Sequence, residues 1–276
     1  MSEVHIVRAF TANGEHGNPA GVVVAADNLT DQAMLRQAAS IGLSETAFVC
    51  DSDRATKKVR FFTPTVEEPL CGHATIATWS LLHQMGAITA GSYTQETKAG
   101  ILAVEVQNTG LVFMEQAPAA FYGNIAPANI ASMLALDTAD LSSVLRPQIV
   151  STGIKDLLVP VRDKVALSRI QPDLAAIARF SKQHDISGLH VFTLLGGGES
   201  LASARNFAPA DGIPEECATG TSNGALLCLL KSRGLLPAQP TYRIEQGESM
   251  GQLSYVYGTF KGDVVWIGGY ATSAST

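Results

Sequence analysis

Two uncharged stretches of this chain read as helices buried on every side. Residues 74–82 and 218–230 are each long enough for a helix, and neither shows a polar stripe. A helix that is apolar all round belongs in the middle of its domain. Around these two stretches the pattern shortens to strand-like runs bounded by turn residues. In the first half the runs are 4–10, 21–25, 46–50, 59–62, 101–107 and 111–115; in the second they are 157–161, 190–195, 204–207, 242–244, 251–259 and 263–267. Amphipathic helices fit 31–40, with Leu35 and Ala38 inward and Gly42 as the stop, and then 129–135 and 173–183. The polar, proline-bearing stretch 117–127 reads as the linker.

The pattern repeats. Arg60-Phe61-Phe62-Thr63-Pro64 is echoed by Arg205-Asn206-Phe207-Ala208-Pro209 at an offset of 145 residues. Thr46-Ala47-Phe48 lies opposite His190-Val191-Phe192 at 144, and Glu68-Pro69-Leu70-Cys71 matches Pro214-Glu215-Glu216-Cys217 at 146. Both halves therefore read as strand, loop with acid, cysteine, then a buried helix. The first N–H groups of such a helix have no partner within it and favour an anion. Two of them in a pseudo-twofold pair would point at one inter-domain cleft, and Gly72 and Gly220 would let a ligand approach the backbone closely.

Composition narrows the classes. The chain has 276 residues, 46% of them apolar and 16% charged, which supports sizeable cores. Net charge is −6 with no Lys/Arg cluster, which argues against nucleic acid and against an anionic membrane surface. No run approaches the length of a membrane span, and the N-terminus carries charges where a signal peptide would be apolar. Four cysteines in a chain of this length make no disulfide framework, so a reducing, cytoplasmic location is expected.

Single residues divide into packing and chemistry. Cys50 and Cys228 sit inside apolar runs and read as core residues. Cys71 and Cys217 precede the two buried helices, where a helix N-terminus favours a thiolate. His73 falls in the first turn beside Cys71. Glu45, between Ser44 and Thr46, stands at the start of an apolar run; partial burial there is what tunes a carboxylate for proton transfer. No histidines lie at metal-ligand spacing, so no metal is expected. The segments 17–21 and 247–251 are turns by composition. Gly196-Gly197-Gly198 is a flexible loop lacking the ending of a phosphate loop.

The motifs GNPAGVV (17–23), SETAFV (44–49), RFFTP (60–64), PLCGHAT (69–75), STGIKDLLVPV (151–161) and ATGTSNGA (218–225) fall in order along nearly the whole chain. Together they resemble the PhzF-like family, relatives of the phenazine-biosynthesis isomerase. The resemblance implies an α+β fold of two pseudo-symmetric, diaminopimelate epimerase-like domains. Each would be a mostly antiparallel sheet wrapped around a central buried helix, with the active site in the cleft between them. The expected domains are 1–116 and 117–263, with a tail, 264–276, returning to pack on the first.

The resemblance also implies a cofactor-independent isomerase of a small carboxylate-bearing substrate; a homodimer is expected only as the commonest oligomer. Glu45 is then the proton carrier and His73 a positioning or relay group. Gly72, Gly220 and Thr221 hold the substrate carboxylate, and Asn18 and Ser44 complete the binding set. The second half departs from the isomerase pattern, in which Asp-Pro is the usual pair. Glu216, expected as a further catalytic group, keeps the acid with one more methylene, Thr221 replaces serine, and Cys217 replaces proline. Cys71 and Cys217 thereby resemble the thiol pair of the racemase and epimerase relatives. A two-cysteine racemase is the alternative, and a carboxylate-binding protein without chemistry is the second alternative.

Overall fold

Residues 3–273 are described by the computed structural model, and six α-helices form among them: α1 (Asp31–Ile41), α2 (Gly72–Gln84), α3 (Pro127–Met133), α4 (Lys164–Arg169), α5 (Leu174–His184) and α6 (Gly220–Ser232). The two uncharged stretches are α2 and α6. Burial is unbroken from His73 to Leu82 in α2 and from Ser222 to Leu230 in α6. Polar side chains on such a helix must find partners inside the protein. Thr75 and Thr78 do so by donating to the carbonyls of Cys71 and Ala74, at 2.8 and 2.7 Å.

The chain divides into two units, one running to Glu115 and resuming at Gly268, the other from Gln116 to Ile267. In the first unit the strands lie in the order Ala271–Ser273, His5–Ala9, Asn18–Val23, Thr46–Cys50, Lys57–Phe62, Gly91–Thr97, Gly100–Val106, Val112–Glu115. Strands from both ends of this series pack on α2, so the sheet wraps the helix. A smaller core under α1 joins Met34 and Ala38 to Val23, Phe48 and Phe62, with Leu35 half-buried against it. Gly42, at φ 70°, stops α1 as its left-handed C-cap.

In the second unit the order is Ala120–Asn124, Gln148–Ser151, Lys155–Pro160, Gly188–Leu194, Ala202–Ala208, Tyr242–Gln246, Ser254–Lys261. Here α6 packs on Gln148–Ser151, Lys155–Pro160 and Ser254–Lys261. A second layer of core joins Ile130, Leu134 and Ile177 of the shorter helices and their flanks to Leu157, Val159 and Leu189. Starting at His5–Ala9 in one unit and at Gln148–Ser151 in the other, successive joints are antiparallel, parallel, antiparallel, parallel, antiparallel. The α+β expectation holds in each unit, and the repeat is one of sheet topology as well as sequence.

Several elements differ from expectation. Gly91–Thr97 is a strand whose buried face is polar, Gln95 and Thr97, so it shows no apolar alternation. The stretch 117–127 contains the strand Ala120–Asn124, and Gln148–Ser151 and α4 were too short to register in the pattern. The strand Asn18–Val23 absorbs most of the supposed turn at 17–21, leaving the bend to Gly17 at φ 85°; a Cβ there would lie 2.5 Å from the Ala9 carbonyl oxygen. Residues 274–276 of the expected tail lie outside the described residues, while Ala271–Ser273 pairs with His5–Ala9. Among the described residues, no helix is long and apolar enough to cross a membrane.

Candidate active site

In each unit one arginine sets the approach to the central helix. Arg60 gives Nε and Nη2 to the two carboxylate oxygens of Glu67, at 2.7 and 2.9 Å. Arg205 gives the same two nitrogens to Glu215, at 2.8 and 2.9 Å. The guanidinium groups lie over the rings of Phe62 and Phe207. Such bidentate pairs hold a chain segment in one geometry, and Arg60 holds the Glu67 carboxyl below the usual carboxylate range. Five residues beyond the clamped acid, each helix begins, at Gly72 and at Gly220.

That register corrects one expectation. The clamp acids, the N-caps and the first helical residues all match at an offset of 148, not 146, because the 3₁₀ turn Pro209–Asp211 lengthens the second loop. The N-cap of α2 is Cys71, whereas the N-cap of α6 is Thr219. Cys217 lies two residues further out and corresponds to Pro69. It is buried beneath the loop at Gly247, where a Cβ would lie 2.8 Å from the Cys217 carbonyl oxygen. The two thiols do not occupy matching positions.

At the head of α2 three candidate side chains converge. Glu45 ends the turn before Thr46–Cys50, and its carbonyl accepts the Gly21 N–H at 3.1 Å. Gly21 is required there, since a Cβ would come within 2.9 Å of the Thr46 hydroxyl. His73, in the first turn of α2, places Nε2 3.3 Å from Glu45 Oε2 and Nδ1 3.5 Å from Cys71 Sγ. The His73 side chain is 7% exposed and that of Glu45 18%. Nε2 and Oε2 face each other out of line for a hydrogen bond, and both are buried without another partner. Burial lowers the His73 pKa, opposed by the charge of Glu45, so the imidazole is held neutral.

Ligand atoms of Glu45, Cys71 and His73 lie within 4.8 Å of one another, a cluster that sequence spacing did not reveal. Yet the two nitrogens of one imidazole point apart, one to the thiol and one to the carboxylate. The three therefore form a line, thiol to imidazole to carboxylate, suited to holding or passing a proton. Asn18 is buried in its strand, Ser44 is exposed, and Gly72 is half-buried, with only Met114 Cε within 4 Å of where a Cβ would stand.

The head of α6 is built differently. Thr219 Oγ1 donates to Glu216 Oε2 at 2.6 Å, and Gln246 Nε2 donates to the Glu216 carbonyl at 2.8 Å. Gln246 Oε1 accepts from Asn223 Nδ2 at 2.8 Å and from the Thr219 N–H at 3.2 Å. His190 is bonded on both nitrogens, Nε2 with Asn223 Oδ1 at 3.1 Å and Nδ1 with Asn206 Nδ2 at 3.2 Å. Ser222 joins Asn206 to Asp156, which also accepts the Gly188 N–H. Burial pushes Asp156 up to about 6 and His190 down to about 4. Thr221 is half-buried, its carbonyl accepting from Thr152 Oγ1 at 3.0 Å.

All four cysteines are thiols, and burial raises the pKa of Cys50 and pushes that of Cys228 to about 11. Sequence reasoning passed over the Arg clamps and the Asp156–His190 network. The signals were present: an arginine repeated with an acid downstream, and Asp156 and His190 set inside the apolar runs KDLLVP and GLHVFTL.

Over residues 7–275 the chain matches the PhzC-PhzF family of phenazine biosynthesis-like proteins. The uncharacterized isomerase YddE of Escherichia coli O157:H7 is 34% identical over 241 residues, 85% of this chain and 81% of that protein. The trans-2,3-dihydro-3-hydroxyanthranilate isomerase of Pseudomonas aeruginosa is 29% identical over 273 residues, 95% of this chain and 91% of that one. A PhzF-family phenazine biosynthesis protein from Bacillus anthracis superposes with a TM-score of 0.88 at 29% identity, covering 99% of this chain and 96% of that one. A hydroxyproline epimerase from Agrobacterium vitis, at 14% identity and a TM-score of 0.61, covers 99% of this chain and 89% of that one and shares the fold alone. With sheet topology, central helices and motifs in agreement, the chain belongs to the PhzF family of phenazine biosynthesis-like proteins, within the diaminopimelate epimerase-like fold.

Proposed function

We propose that this PhzF-family isomerase moves a proton between two carbons of a small carboxylate-bearing substrate, with Glu45 as the carrier. The observation that carries this reading is the buried, misaligned contact between Glu45 Oε2 and His73 Nε2. Buried polar atoms are nearly always paired in a folded protein, and exceptions concentrate where chemistry occurs. In the proposed reaction the substrate C–H bond breaks as an O–H bond forms on Glu45. The electron pair enters the conjugated system beside the carboxylate, and Glu45 then returns the proton to a different carbon. Neutral His73 orients the carboxyl without competing for its proton. The unpaired N–H groups at the head of α2, reached past Gly72, would anchor the substrate carboxylate. Gly220 and Thr221 are proposed as anchoring groups of the second unit, and Asn18 as support for the first.

The register of Cys217, two residues outside the N-cap, supports Glu45 over the two-thiol alternative, which is tested alongside. Proton NMR in D₂O would follow trans-2,3-dihydro-3-hydroxyanthranilate and a panel of small amino and hydroxy acids with wild type, Glu45→Gln and Cys217→Ser. Exchange or isomerisation lost with Glu45→Gln and kept with Cys217→Ser is expected. Exchange at an α-carbon lost with Cys217→Ser and kept with Glu45→Gln would instead make the protein a racemase.

A further inference from the structure

Cys71 is left without a task by a Glu45 mechanism, yet its sulfur sits 3.5 Å from Nδ1 of the histidine that faces Glu45. We infer that the Cys71 thiol sets the tautomer of His73, donating S–H to Nδ1 and so keeping the imidazole proton on Nε2, opposite the carboxylate. A neutral imidazole has one N–H and one lone pair, and the hydrogen bond at one nitrogen decides which is which. With the proton on Nδ1, the Nε2 lone pair would face a carboxylate oxygen 3.3 Å away in a buried site. With the proton on Nε2, a donor faces the carboxylate and an acceptor faces the thiol. His190 has both nitrogens tied to amides by comparison, and His73 meets only a thiol and a carboxylate.

Cys71 itself is held firmly enough to do this. Trp79 Nε1 donates to Gln95 Oε1 at 2.6 Å, Gln95 Nε2 donates to Thr75 Oγ1 at 3.0 Å, and Thr75 donates to the Cys71 carbonyl at 2.8 Å. This chain of directional bonds fixes the N-cap residue from inside the core. The consequence for catalysis rests on the function proposed above. Once Glu45 carries the substrate's proton, its charge no longer favours Nε2–H; the thiol then keeps Nδ1 occupied, so His73 has no vacant site and the proton stays on Glu45 for return to substrate. Cys71 is a positioning residue in this account, with no covalent role.

The test reads the tautomer directly, without substrate. Protein labelled with ¹⁵N-histidine would give imidazole nitrogen shifts for wild type, Cys71→Ala and Cys71→Ser, each also in a Glu45→Gln background, with His73→Gln identifying the signal among six histidines. Wild type and Cys71→Ser should show Nε2–H. Cys71→Ala should move the tautomer ratio about fivefold toward Nδ1–H, the size expected of one modest hydrogen bond, and more visibly where Glu45 carries no charge. An Nδ1–H wild type, or a ratio indifferent to Cys71→Ala in both backgrounds, would overturn the inference. The expected tautomers together with no turnover of any compound in the panel would leave the inference standing and remove the proposed function instead.

Discussion

The heads of α2 and α6 start from the same frame and end in opposite states. Each follows an arginine-clamped acid by five residues, each begins with glycine, and each N-cap side chain leaves the helix N–H groups unbonded. At α6 the surrounding polar groups are consumed by one another, from Glu216 through Thr219, Gln246, Asn223 and His190 to Asn206, Ser222 and Asp156. At α2 the Glu45–His73 pair is left incomplete. A fully connected buried network rigidifies its segment, while an incomplete one leaves groups whose full pairing awaits another molecule. One frame therefore carries a closed polar network in one unit and the proposed reactive site in the other.

Breaking this contrast at α2 should have the largest effect, and it should fall on rate. Glu45→Gln is expected to reduce isomerisation by about 10²–10⁴-fold, the range for loss of a general acid–base group, with an unfolding midpoint in urea close to wild type. Loss of fold along with activity would deny the residue its special place.

Asn223→Ala should do the reverse, striking stability first. It strands His190 Nε2 and removes a donor from Gln246 Oε1, both buried. The expected cost is about 2–4 kcal/mol, read from the urea midpoint at unchanged slope. A smaller change than about 1 kcal/mol would mean that the network is not cooperative.

The α6 network also carries two opposed pH dependences. Asp156, raised to about 6, contributes stability that is fully present below its unfolded pKa of about 3.9 and lost as pH rises through about 6. His190, lowered to about 4, contributes stability present above about 6.5 and lost as pH falls through about 4. Each is on the order of 3 kcal/mol, and they largely cancel between about pH 4 and 6. Asp156→Asn should unmask a stability that climbs with pH over that window, and His190→Gln one that declines. Urea titrations at several pH values check the sign. Equal slopes in the two variants would show that these groups do not titrate as described.

Cys217→Ser should be the mildest change. Its thiol is not at the N-cap, so turnover should stay within severalfold of wild type in the D₂O assay. A loss comparable to that of Glu45→Gln would restore the thiol-pair chemistry.

Much of this fold was legible in the chain. A central helix buried on all sides must be uncharged, and a sheet strand covered on one face must alternate, so α2, α6 and most strands left their marks. Gly91–Thr97 escaped because its inward residues, Gln95 and Thr97, are polar and satisfied within the core. Family motifs singled out Glu45, His73 and Cys71 one by one. Their convergence depends on strand Asn18–Val23 lying parallel to Thr46–Cys50 through Gly21, a contact between segments far apart in sequence.

By itself, then, the sequence determined two buried helices, a repeated strand–acid–helix plan and the candidates for the reactive side chains, because hydrophobic periodicity and residue chemistry are local properties. Only the tertiary structure decided the register of the repeat, where the turn Pro209–Asp211 moves Thr219 rather than Cys217 onto the helix N-cap. It alone also decided which polar groups are satisfied and which remain open, because a hydrogen bond is a matter of a few tenths of an ångström between residues that no pattern along the chain places side by side.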